Sequence, residues 1–340
     1  MIDVAVDDVL NSSNRLSFNP IVRSHWGRHS NHPQAHRPNL VSTHYSLCER
    51  DDAEVAVLPR LYEATDAAVF RSAISRAEAF GLRTLVFGGH DLEPIMPSPS
   101  VILLHPGPTR NAQPHADVLA LPYIFTDRTR PPENRPDGSR PSVAFCGQGA
   151  VRRGAGLVQS TRRTAQVLAN RVRPRVVPTP ITSPVTTRSR AMKALHSHDG
   201  VDTNFIIRNQ YRAGASGEAD RTRTQAEFDD NLRTSTYALC VRGTGNFSAR
   251  FYEALSFGRV PLFVDTDCVL PFEDEIDWKS RTVWVPADEL SSIGERLVAE
   301  HPHVLTDHGR SQPALRKLWE DRLTQEGFYA HLPEAVRRLL

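Results

Sequence analysis

The chain has 340 residues, enough for two domains of ordinary size. Its 41 Lys and Arg against 39 Asp and Glu leave a formal net charge of +2, so it lacks the basic field that nucleic acid asks for. The opening MIDVAVDDVLNSSNRL has no basic stretch ahead of an apolar core, and no segment approaches ~20 apolar residues, so neither a signal peptide nor a membrane span is expected.

Residues 19–39 are rich in Pro, Asn, Ser and His and read as irregular. His25, His29, His32 and His36 fall there, but Pro33 opposes a ligand-bearing helix and no cysteine accompanies them. Solvated loop histidines, or contacts to an acceptor, are expected instead of a zinc site. Asp66 reads as the N-cap of a helix whose Phe70, Ala73, Ile74 and Ala77 follow helical spacing, with Gly81 closing it. Residues 82–87 then read as a strand, followed at its carboxyl end by FGGHDLEP; residues 101–104 and 118–121 are two further short strands. Alternation of this kind predicts a parallel sheet covered by helices.

Residues 126–141, with their PPENRPDGSRP core, are the expected linker. A second series follows: a strand at 143–146, a helix near 157–172, a strand near 205–207 and a helix near 224–232. VVPTPITSPVT, residues 176–186, reads as a proline-broken loop. A terminal helix is expected over 313–326, with Leu315, Leu318, Trp319 and Leu323 on one face. The expected organisation is α/β throughout, with an N-terminal domain at 1–135, a second at 136–312, and residues 313–340 packing back across the cleft. Open α/β sheets bind ligands at the carboxyl ends of their strands, so the cleft is the expected site.

Residues 237–261, YALCVRGTGNFSARFYEALSFGRVP, carry the most chemistry. Tyr237 to Val241 form an apolar run expected of a buried parallel strand. Gly243 and Gly245, with Thr244 and Asn246, give a turn that permits close backbone approach to a ligand. Ser248 is placed to cap a helix whose first-turn N–H groups and dipole favour an anion. Arg242 and Arg250 are placed to pair with phosphate oxygens. Glu253 follows Arg250 by three positions, Gly258 ends the helix, and residues 260–264 supply the next strand. An ordinary β-α-β unit with a glycine turn and a structural Arg–Glu pair fits the same residues.

Residues 237–288 resemble the C-terminal part of the exostosin-like glycosyltransferases, glycosyltransferase family 47. The pattern is carried by Cys240, Gly243, Ser248, Arg250, Glu253, Gly258, Pro261, Pro271, Phe272, Asp277 and Trp278. Upstream, DVLALPYIF at 117–125 is similar to the family's D-x-x-x-P strand. RPSVAFCGQG followed by STRRTAQVL is similar to its strand, glycine and distal arginine, here Arg162. The resemblance implies the GT-B arrangement, two Rossmann-like domains facing a cleft, with the nucleotide sugar on the C-terminal half and the acceptor on the N-terminal half. It implies transfer with inversion from a nucleoside diphosphate sugar, with a UDP sugar as the expected donor and a saccharide or glycoconjugate hydroxyl as acceptor.

On that basis the loop 243–248 and Arg250 are expected to stabilise the departing diphosphate, with Arg242 and Arg162 as further candidates and Glu253 on the ribose. The general base is expected in FGGHDLEP: Asp91 first, then His90 and Glu93; an Asx-turn role for Asp91 fits equally. Asp265-Thr266-Asp267 has the D-x-D form of a cation site, but the family's two-domain members do not depend on one, so no metal and no cofactor are expected. A soluble, cytoplasmic, bacterial-type relative is expected, in contrast to Golgi-anchored members. Cys48, Cys146, Cys240 and Cys268, without C-x-x-C spacing, read as buried free thiols. The rival reading is a non-catalytic nucleotide-sugar or glycan-binding protein. No G-x-G-x-x-G stands near the N-terminus, and neither a G-x-S-x-G elbow nor a Walker A loop is present.

Overall fold

Two runs of short apolar strands each assemble into a parallel sheet in the computed structural model, which describes residues 1–6, 44–89, 91–128, 135–149, 176–178, 182–208 and 217–340. The first sheet contains β1 (Ile2–Val6), β2 (Tyr45–Leu47), β3 (Val55–Leu61), β4 (Thr84–Phe87), β5 (Val101–His105) and β6 (Asp117–Ala120), in the order β2-β1-β3-β4-β5-β6. The second contains β7 (Ser142–Gln148), β8 (Asp202–Arg208), β9 (Tyr237–Cys240), β10 (Val260–Asp265) and β11 (Val283–Pro286), in the order β11-β10-β9-β7-β8. All the pairings within both sheets are parallel. β4, β5 and β9 are buried at every position, which is why they lack the alternation of a half-exposed strand.

The second sheet reverses direction at one place. From β7 the chain moves outward to β8, and β9 then returns to the opposite side of β7. The carboxyl ends of β7 and β9 therefore flank a topological switch point, where an open α/β sheet leaves a crevice.

Helices cover these sheets. Asp66 caps α1 (Ala67–Glu78) by accepting from the N–H groups of Ala68 and Val69, and Phe70, Ala73, Ile74 and Ala77 are buried as the spacing predicts. Helix α2 (Pro184–His196) begins inside the segment expected to be loop. Pro184 occupies its first turn, where a missing N–H costs nothing, and Ala191, Met192 and Leu195 form its buried stripe. Helix α3 (Glu218–Arg233) is closed by buried Arg259, whose guanidinium donates to the carbonyls of Leu232 and Arg233 at the negative end of the helix dipole. Helices α4 (Ala249–Ser256) and α5 (Ile293–Thr306) complete the second layer.

The expected terminal helix is two. It breaks after α6 (Gln312–Arg322), and Thr324 starts α7 (Gln325–Arg337) by accepting from the N–H of Gly327. Helix α6 lies on α4, whereas α7 reaches the first sheet: the Tyr45 hydroxyl donates to the Tyr329 carbonyl at 2.8 Å and Arg337 pairs with Glu54 at 2.6 Å. One continuous core runs from Ile2 and Val4 through Phe145 and Leu239 to Trp278 and Phe328, so both sheets share it. Strands β1 to β3 were not anticipated; Pro59 interrupts the apolar pattern of β3, and the β3–β4 register shifts between Val57 and Leu61. The helix expected near 157–172 and the histidines at 25, 29, 32 and 36 lie outside the described residues. No helix among the described residues is long and apolar enough to cross a membrane. All four cysteines are free; Cys146, Cys240 and Cys268 are buried and Cys48 half-buried.

Candidate functional site

At the switch point the end of β7 opens at Gly147, and Arg250 from the first turn of α4 fills the opening. Its guanidinium carbon lies 4.4 Å from the centre of the Phe145 ring, and its Nη2 donates to the Cys146 carbonyl. A Cβ at Gly147 would come within 2.9 Å of that Nη2, so only glycine lets the cation sit against the strand end.

Two further guanidinium groups converge there. Arg242 at the end of β9 is buried and donates to the Thr182 carbonyl at 2.8 Å. Arg188, on α2, donates from Nη1 to the Gln148 carbonyl at 2.7 Å and from Nη2 to the Arg242 carbonyl at 3.2 Å. Among the described residues neither Arg188 nor Arg250 has a carboxylate partner, and the Nε of each is buried without an acceptor. Burial, then the charges of Arg250 and Arg242, lowers the Arg188 pKa from the ordinary arginine value to about 10. Arg188 and Arg250, packed against carbonyl dipoles and aromatic rings with no carboxylate beside them among the described residues, are under electrostatic stress that an anion would relieve.

Arg188 is not among the expected site residues: the loop expected at 176–186 covers the first turn of α2, and no element is expected over 187–196. The usable signal was an Arg one turn after Ser183-Pro184, ahead of the apolar stripe at 191, 192 and 195. Arg162, expected as the distal arginine, and His90 lie outside the described residues.

The stress has a sign that can be tested. An arginine whose folded pKa lies below its unfolded value costs stability at every pH below about 10, and the cost disappears as pH rises from there toward the ordinary arginine value. The drop corresponds to roughly 3 kcal/mol, against about 1 kcal/mol for each of its two hydrogen bonds. Arg188→Met should therefore leave the melting temperature unchanged or slightly higher, while lowering affinity for a nucleoside diphosphate about tenfold. Calorimetry and a melting curve on the same sample measure both; a marked fall in melting temperature would make Arg188 a purely structural residue.

The turn between β9 and α4 is shaped by contact with the first sheet. A Cβ at Gly245 would lie 2.8 Å from the Asp91 carbonyl oxygen and 3.0 Å from the Phe247 ring, so this glycine answers to packing between the halves. A Cβ at Gly243 would meet nothing closer than 3.7 Å; its N–H donates to the Phe247 carbonyl at 2.7 Å to close the turn. Thr244 is exposed. Asn246 is buried between the halves: its Nδ2 donates to Thr109 at 3.2 Å and its Oδ1 accepts from Thr266 at 2.7 Å. The amide is thus spent on the junction. Ser248 occupies the N-cap position of α4 by backbone geometry, yet its hydroxyl makes no capping bond.

On the facing side, Asp91 follows the carboxyl end of β4 and its carboxylate is exposed, while its carbonyl touches the Gly245 position. Glu93 is buried. Its Oε2 accepts from the Thr109 N–H at 2.7 Å and its Oε1 from Gln113 at 2.8 Å, and burial pushes its carboxyl pKa up. It braces the loop after β5, which in turn holds Asn246. Glu253 stands one turn along α4 from Arg250 and accepts from Arg128 at 3.0 Å, so its recorded ion pair is with Arg128, from the segment between β6 and β7, and not with Arg250.

Asp265, Thr266 and Asp267 also belong to the junction. Asp265 accepts from the Cys268 N–H at 3.3 Å, Asp267 takes a left-handed backbone at φ 60 and accepts from the Arg110 N–H at 2.8 Å, and Cys268 bridges Thr109 antiparallel. Among the described residues no three His, Cys, Asp or Glu side chains are grouped to hold a metal ion.

A model of the Exostosin GT47 domain matches residues 102–299, a span that includes the switch point and its three arginines. Exostosin-1 of Drosophila melanogaster is 34% identical over 130 residues, covering 36% of this chain and 15% of that protein. The Exostosin-1 homolog of Caenorhabditis elegans is 38% identical over 111 residues, 31% of this chain and 29% of that protein. A probable beta-1,4-xylosyltransferase, IRX10L, of Arabidopsis thaliana is 29% identical over 84 residues, 25% of this chain and 20% of that protein. The matched segments thus span less than a third of these relatives. Among solved structures, the spinosyn rhamnosyltransferase SpnG aligns over 84% of this chain and 66% of its own at 18% identity, with a TM-score of 0.30 too low to argue from.

Proposed function

The chain belongs to the exostosin GT47 family, and from that premise we propose that it is an inverting glycosyltransferase moving a sugar from a UDP sugar to a hydroxyl of a saccharide acceptor. The observation that carries this reading is the group of three guanidinium groups at the β7–β9 switch point, two of them without a carboxylate partner among the described residues. Such a group suits a diphosphate better than a neutral ligand.

In the reaction the acceptor oxygen attacks the anomeric carbon and the bond from that carbon to the diphosphate oxygen breaks. The bonding pair leaves with UDP, and the acceptor proton passes to a base on the opposite side of the cleft. Arg250 and Arg188 stabilise charge as it grows on the diphosphate, with Arg242 and the loop 243–248 closing around it. Asp91 is the base in this proposal, since its carboxylate is exposed at the carboxyl end of β4 and its backbone adjoins Gly245. Three guanidinium charges supply what a divalent cation supplies elsewhere, so the proposal includes no metal, and Asp265 and Asp267 keep their junction role.

The test is UDP release from a panel of UDP sugars with saccharide acceptors, in excess EDTA. Turnover only when donor and acceptor are both present is expected, and EDTA should leave the rate within about twofold. UDP binding without turnover of any pair would favour a nucleotide-sugar-binding protein. Activity lost in EDTA and restored by manganese would overturn metal independence.

A further inference from the structure

The segment that leaves β6 carries a cation to the far side of the same site. Arg128 donates from Nη2 to Glu253 Oε1 at 3.0 Å and from Nε to Asp229 Oδ1 at 3.3 Å. Its guanidinium carbon lies 5.2 Å from the Phe125 ring centre and 5.9 Å from that of Phe228. The guanidinium carbon of Arg250 lies 5.7 Å from that same Phe228 ring, so the two cations flank one aromatic side chain.

The two carboxylates on Arg128 are not equivalent. Asp229 Oδ1 takes a second donor, Gln225 Nε2, at 2.9 Å, which ties it to its own helix α3. Among the described residues Glu253 receives only Arg128, on Oε1, and none of them donates to its Oε2. Residues 250 and 253 stand three apart on α4 and share a face of it, which places Glu253 one turn from the guanidinium proposed for the phosphates. The segment bearing Arg128 is itself fixed: Asp127 pairs with Arg316 of α6, and Phe125 packs on Trp319 at 5.4 Å.

We propose that Arg128 is a positioning residue for the donor: it holds Glu253 by Oε1 and leaves Oε2 to accept the ribose hydroxyls of a nucleoside diphosphate whose phosphates lie on Arg250 and Arg188. The inference rests on the proposed function. It assigns the nucleoside end of the site to a cation outside the β9–α4 motif, in the segment between the two sheets. Without Arg128, Glu253 would face Asp229 with no cation between them, and like-charge repulsion would turn it away from the ribose.

Calorimetry with UDP and with inorganic pyrophosphate separates this role from general packing. Arg128→Met should weaken UDP about tenfold and leave pyrophosphate within twofold, because pyrophosphate has no ribose. Arg128→Lys, which keeps a charge for Glu253 but not the fork, should recover part of the loss. Arg128→Met combined with Glu253→Gln should bind UDP no more weakly than Glu253→Gln alone. Equal losses for UDP and pyrophosphate, or an unchanged UDP affinity, would overturn the inference while leaving the diphosphate site intact. A wild-type protein that binds neither probe would overturn the proposed function and the inference with it.

Discussion

Arg250→Leu is expected to lower kcat/KM for the UDP sugar by about 10²–10³, the range for removing one preorganised group from developing charge. Leucine keeps an apolar side chain against Phe145 and removes the cation, so the melting temperature should hardly move. The loss should appear for UDP and pyrophosphate alike, since Arg250 faces the diphosphate in the proposed function. Arg250→Lys should recover little: an ammonium cannot donate to the Cys146 carbonyl and present a second edge to phosphate in the same geometry. The effect is large because the site excludes water on one side. Phe145 and Phe228 lie within 6 Å of the guanidinium carbon, at 4.4 and 5.7 Å, and a charge beside them is poorly screened. Full activity in Arg250→Leu would remove the diphosphate from this crevice.

What the residues announce in advance and what they conceal follow from the range of the forces involved. A strand buried on both faces needs apolar side chains at every position, so β4, β5 and β9 can be read directly from TLVF, VILLH and YALC. The strand-turn-helix around Gly243 and Arg250 is equally local, and its elements stand where expected, β9 ending at Cys240 and α4 beginning at Ala249. Pro59 and Pro184 hide β3 and α2, because proline opposes a strand or helix in general and is tolerated at an irregular register or a first turn in particular.

Partners distant in sequence are concealed more deeply. The stripe at 191, 192 and 195 after Pro184 signals a helix that carries Arg188, but it does not encode that α2 lays it across the ends of β7 and β9, which is what gives Arg188 its role. Arg128 is a linker arginine by composition and becomes the ion-pair partner of Glu253 only through the path of the chain between sheets. Asn246 looks like a ligand-facing turn residue, yet Thr109 and Thr266 claim both ends of its amide. Residue type suggested the chemistry in each case; the environment decided whether the group was available for it.

That distinction bears most on the base. Asp91→Asn is expected to lower kcat by about 10²–10⁴, the usual worth of a general base, while UDP affinity stays within twofold. Glu93 is the nearest carboxyl in the chain and should behave differently. Both its oxygens already accept hydrogen bonds, from the Thr109 N–H and the Gln113 amide, and a base needs a lone pair that the acceptor hydroxyl can reach. Glu93→Gln would set an amide N–H against one of those donors, a mismatch worth about 1–3 kcal/mol of stability. Because burial raises the Glu93 carboxyl pKa, its charged form costs stability at neutral pH, and that cost fades as pH falls through the raised value. The Glu93→Gln deficit should therefore change with acidification, whereas the Asp91→Asn deficit should lie in turnover and leave melting unchanged. Turnover lost in Asp91→Asn alone, with melting and UDP affinity unchanged, would identify the base; the same loss in Glu93→Gln alone would transfer the role to the buried carboxyl.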